Sequence, residues 1–121
     1  MLYKIYWQTL KCTLLLIFMT ISACTSKQTI NFLGFEGCPN TPILLERLRA
    51  ASPKSEIIEV DLMRLQTGDP LLGWGAPTII FGGEDLFGLE PSPDLAVSCR
   101  NWSMGLPEVE VIRKALKEKA Q

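Results

Sequence analysis

Gly37-Cys38-Pro39-Asn40-Thr41-Pro42 is the stretch that decides what kind of chain this is. To its left, Thr29-Ile30-Asn31-Phe32-Leu33-Gly34-Phe35 is an apolar run of strand length. To its right, Ile43–Ala51 has helical spacing, with Leu44, Leu48 and Ala51 on one face and Arg47 and Arg49 on another. Thr41 suits the N-cap, and Pro42 suits the first helical position, where its missing N–H costs nothing. Cys38 is therefore expected in the turn between a strand and the N-terminus of a helix. Free N–H groups and the positive end of the helix dipole favour an anion there, so the position predicts a thiolate. A small cysteine buried in a tight turn is the alternative reading.

Downstream, Ser52-Pro53 stops the helix and Glu56–Leu62 reads as a second strand. Joined to the first by a helix, it should run parallel to it. Asp69-Pro70-Leu71-Leu72 predicts a short helix capped by Asp69 and ended by Gly73. Thr78–Phe81 and Asp85–Phe87 predict an antiparallel hairpin turning at Gly82-Gly83, with Pro77 opening its first strand. Gly88–Gly105 is long and irregular and carries Cys99. A last helix is expected from Pro107 towards Ala120, with Val109, Ile112 and Leu116 on its inner face.

The N-terminus reads as an address. Lys4 and Lys11 precede an apolar run, Cys12 to Ser22, that is the length of a signal-peptide core and short of the ~20 residues of a spanning helix. It ends in Ile21-Ser22-Ala23-Cys24, which resembles the lipobox of bacterial lipoproteins. The competing reading, one membrane span over Leu2–Ala23, would place Lys4, Gln8 and Lys11 inside the bilayer. The resemblance implies a signal peptide at 1–23, a short tether at 24–28 and one domain at 29–121. It also implies lipidation, for instance with palmitate, at Cys24, which then holds the chain to a lipid bilayer. The domain would face the periplasm or cell exterior, at the outer membrane if the cell is Gram-negative, since Thr25 rather than Asp follows Cys24.

Composition narrows the chemistry. The chain has 121 residues with 12 Lys+Arg against 13 Asp+Glu, and no basic run argues for nucleic acid. It has no histidine, which removes Ser-His-Asp and Cys-His catalysis and every His-based zinc site. No cofactor motif is present. Of the 4 cysteines, Cys12 leaves with the signal and Cys24 is the lipidation site, so Cys38 and Cys99 remain, in a compartment where disulfides form.

Strand, cysteine turn, helix, strand, helical linker, proline-led hairpin, helix is an order that resembles the thioredoxin fold, with Pro77 at the place of its cis-proline. More closely, the chain resembles small thioredoxin-like proteins that share Gly-Cys-Pro after the first strand, Pro-Thr opening the hairpin and a late Cys-Arg. Here these are Gly37-Cys38-Pro39, Pro77-Thr78 and Cys99-Arg100. The resemblance implies a single α/β domain, βαβ then ββα, with a four-stranded mixed sheet. It also implies that a cis Pro77 shapes a groove beside Cys38 for a partner peptide or small thiol. Thr41 stands where dithiol thioredoxins carry their second cysteine, so a disulfide within the motif is impossible. The Thr41 hydroxyl would instead serve a Cys38 thiolate.

The topology of that fold starts the loop carrying Cys99 beside the Cys38 turn. Three functions follow. One is a thiol–disulfide oxidoreductase in which Cys38 attacks a disulfide of a protein or small thiol and either Cys99 or a small thiol resolves the product. A second is a dithiolate site of Cys38 and Cys99 for a soft metal such as Cu(I) or Hg(II). The third is a non-catalytic domain stapled by a Cys38–Cys99 disulfide. Arg100 either aids a thiolate or is a solvated surface residue. Trp74, Phe87 and Trp102 either wall a pocket or belong to core and rim.

Overall fold

Strand β1 (Thr29–Gly34) alternates its side chains, sending Ile30 and Phe32 to one face of the sheet and Leu33 to the other, and all three are buried. A strand buried on both faces needs a layer on each side, and the computed structural model, which describes residues 28–121, supplies both. The expected signal peptide, the lipidation at Cys24 and nearly all of the tether lie outside the described residues. Among the described residues, no helix is long and apolar enough to cross a membrane.

Helix α1 (Asn40–Ala51) connects β1 to β2 (Glu56–Asp61), which pairs parallel to β1 from Thr29 opposite Glu56 to Gly34 opposite Asp61. β3 (Thr78–Phe81) lies antiparallel on the other side of β1, and β4 (Glu84–Asp85) antiparallel to β3. The sheet order is β2-β1-β3-β4. Gly82 and Gly83 turn the hairpin with φ of 64° and 80°, the paired left-handed conformation that two-residue hairpin loops favour. Helix α2 (Val109–Lys119) closes the chain. The result is a single small thioredoxin-like α/β domain on a four-stranded mixed sheet.

α1 and α2 cover one face, where Leu44, Leu48, Ala51 and Ile112 bury against Ile30, Phe32, Ile79 and Phe81. The second face is covered without a long helix. Two 3-10 turns, Leu62–Arg64 and Pro70–Trp74, and Leu95 of the long loop pack against Leu33 and Ile80. Arg47 fixes where α2 begins by donating to the carbonyls of Leu106 and Pro107, each at 3.1 Å.

Several boundaries differ from the sequence reading. α1 starts at Asn40 with Pro39 at the N-cap, so Thr41 is no cap and Pro42 is the third helical residue, still within the turn whose N–H groups have no helical partner. β2 ends at Asp61 because its carboxylate accepts from the Met63 N–H and starts the first 3-10 turn. Asp69 caps the second turn as expected, accepting from Leu71 N–H at 2.9 Å. That turn runs through Gly73 and stops at Gly75, whose φ is 71°. β4 stops at Asp85, and Leu86 adds one further bond to Ile79 before the chain leaves the sheet.

Leu48 is fully buried between α1 and the sheet. Leu48→Ala should lower unfolding stability by about 2–5 kcal/mol in a urea melt, the range for a cavity in a core that does not collapse.

Candidate functional site

Cys38 lies after β1 in a turn closed by its own N–H donating to the Phe35 carbonyl at 3.2 Å. The residue is 2% exposed. Pro39 and Pro42 carry no N–H, and the Thr41 N–H donates to the Cys38 carbonyl at 3.1 Å. Of the helix-start donors the sequence suggested for a thiolate, Asn40 is the one left in this stretch. The Thr41 hydroxyl does not take the expected place either. Its methyl packs over Gly34, and among the described residues its Oγ1 is the one buried side-chain polar atom without a hydrogen-bond partner.

The Cys38 thiol instead donates to the Ala76 carbonyl at 3.5 Å. Ala76 is fully buried, and its bond to Pro77 is cis. Ala76 is also where the long loop returns to the sheet. Its N–H donates to Ser98 at 2.9 Å, and its carbonyl accepts from the Arg100 N–H at 2.7 Å, a parallel bridge centred on Cys99. The preceding residue leaves room for this approach. A Cβ on Gly75 would meet the Ser98 carbonyl and hydroxyl oxygens at 3.1 Å, in a backbone conformation that L side chains rarely adopt.

Cys38 and Cys99, far apart in sequence, thus share one backbone residue. Both are free thiols, Cys38 buried and Cys99 exposed. The Cys99 thiol is pushed above the ordinary cysteine value, chiefly by side-chain hydrogen bonding with Cys38, then by desolvation and by charge repulsion from the same residue.

What pins the loop is a buried ion pair. The Asp85 carboxylate is fully buried and receives the Arg100 guanidinium at 2.6 and 3.4 Å. One of its oxygens also accepts from the N–H groups of Phe87 and Leu89, each at 3.0 Å. Arg100 lies over the Trp102 ring at 3.8 Å. Trp102 in turn donates to the Pro77 carbonyl at 3.3 Å and meets Phe87 edge to face at 6.0 Å. Arg100 is therefore not a solvated surface residue: its side chain is 9% exposed and committed to Asp85. Asp85 was missed in the sequence, where it read as an ordinary hairpin residue. A lone acid among apolar neighbours, Asp85-Leu86-Phe87, was the available signal.

An apolar cavity of about 390 Å³ opens near the start of α1, among Phe32, Phe35, Thr41, Pro42, Leu45 and Val60. Cys38 and Cys99 do not line it. Among the described residues, no group of three or more Cys, His, Asp or Glu is placed to hold a metal ion.

Two outcomes follow. Asp85→Ala strands the Arg100 charge in the interior and should cost about 3–5 kcal/mol in chemical denaturation. Alkylation of Cys99 followed against pH should inflect above the pH of an ordinary cysteine, because its proton is held more tightly. Cys38→Ala removes the cause and should move that inflection down, speeding labelling at pH 8; an unchanged profile would separate the two thiols. Comparison of the chain with protein-family models, with curated proteins and with solved structures returned no match.

Proposed function

We propose that this chain is a thioredoxin-like thiol–disulfide protein, held to a bacterial membrane through an acylated Cys24, whose working pair is Cys38 and Cys99. The observation that carries the reading is the meeting of both cysteines at Ala76: Cys38 donates to its carbonyl, and Cys99 is bridged to its backbone.

The chemistry is exchange, with no cofactor. One thiolate of the pair attacks a partner disulfide, forms a mixed disulfide and expels the first partner thiolate. The second cysteine attacks the mixed disulfide, closes Cys38–Cys99 and expels the other. The two cysteine protons end on the two released thiolates. The partner is reduced to two thiols and the chain is oxidised by two electrons. Run backwards, the same steps oxidise a partner dithiol. The exposure of Cys99 favours this reading over a structural staple, because a sulfur at the surface is open to thiolate attack while a staple is protected by burial.

Incubation of the mature, Cys24-acylated chain with glutathione disulfide, followed by intact-mass and peptide analysis, tests it. The expected product has lost two hydrogens and yields a linked Cys38–Cys99 peptide that a mild dithiol reductant reopens. Two thiols that persist, or a linkage that resists reductant in the folded chain, would overturn the redox reading.

A further inference from the structure

We infer that Cys99 is the entry thiol and Cys38 the resolving one, and that Ser98–Arg100 closes the backbone edge of Ala76 to partner peptides. This rests on the thiol–disulfide reading and sets its substrate class: disulfides that reach Cys99 from solvent, small ones included, rather than a strand that must pair beside Pro77.

Three observations carry it. Cys38 is 2% exposed, so an incoming disulfide has no path to its sulfur without movement of the chain above it. Cys99 is exposed, on the outer side of the same bridge. And both hydrogen-bonding groups of Ala76 are already used, its N–H by Ser98 and its carbonyl by the Arg100 N–H, with the Cys38 thiol sharing that carbonyl. An extended peptide adds to a strand edge through free N–H and C=O groups, and here the chain has filled them itself. Cys99 thereby sits against Ala76, the residue whose carbonyl the Cys38 thiol contacts.

The closure is built rather than incidental. The Arg100–Asp85 pair and the contact of Trp102 with the Pro77 carbonyl hold one end of the segment. At the other end, Ser92 donates to the Gly73 carbonyl at 2.8 Å, and Leu95 packs into the core on that face. Arg100 and Asp85 are positioning residues: they hold Cys99 and contact no substrate.

In the exchange, the Cys99 thiolate attacks a glutathione disulfide, releasing one glutathione thiolate and leaving glutathione on Cys99. Cys38 then displaces the second glutathione and closes the Cys38–Cys99 bond, its proton passing to the leaving thiolate. The raised Cys99 pKa makes the first step speed up with pH to beyond the usual cysteine range.

Glutathione disulfide with time-resolved acid quench and peptide mapping locates the first adduct. Cys38→Ser should accumulate glutathione on Cys99, whereas Cys99→Ser should be modified at Cys38 about tenfold or more slowly, because burial limits access. A first adduct on Cys38 at a rate matching that of Cys99 would overturn the entry assignment while leaving the dithiol cycle intact. An adduct that stays on Cys99 in the unmutated chain, with no Cys38–Cys99 bond, supports entry at Cys99 and sinks the cycle. Asp85→Asn in the Cys99→Ser background reads the closure: Cys38 modification should accelerate with helical circular dichroism unchanged, and an unaltered rate counts against it. Should that variant not fold, hydrogen exchange on the unmutated chain decides. Protected Ala76 and Arg100 amides are expected, and exchange as fast as an open loop would refute the closed edge.

Discussion

The buried pair of Asp85 and Arg100 is the constraint on which the rest of the cysteine site depends. An ion pair in an interior stabilises only when its remaining hydrogen-bonding capacity is also filled, because desolvating both charges costs several kcal/mol each. Here the carboxylate takes two backbone N–H groups besides the guanidinium, and the guanidinium rests on the Trp102 ring. These partners come from the end of the hairpin and from the far side of the long loop. Satisfying them draws Arg100 in, and with it the neighbouring Cys99.

The sheet makes that arrangement possible by presenting two different faces. Two helices cover the first and supply most of the apolar burial. The second face has only short 3-10 turns and the irregular loop. A loop used as a covering layer must satisfy its own polar backbone, and this one does so on the carbonyls of Gly73 and Ala76 and the amide of Ala76. The same bonds that finish the core therefore fill the edge beside Pro77.

The asymmetry of the two thiols follows from the same layering. Cys38 sits at the end of a central strand, under the loop, and its sulfur has the Ala76 carbonyl as partner. Cys99 sits on the loop itself and faces out. The sequence marked Cys38 as the nucleophile, because Gly-Cys-Pro precedes a helix. That suggestion counted helix-start donors that two prolines and the Thr41–Cys38 bond take away.

Local signals in the sequence determined the element order, the helix-facing residues of α1, the hairpin at Gly82-Gly83 and the cap at Asp69. Each is set by neighbours in the chain: apolar period, turn glycines, a carboxylate two residues before an N–H. The absence of histidine was legible too. Tertiary structure alone decided the burial of Cys38, the commitment of Arg100 to Asp85 and the docking of Ser98–Arg100 on Ala76. Those depend on groups brought together across the long loop, and no periodicity or spacing encodes which buried charge a distant arginine will find.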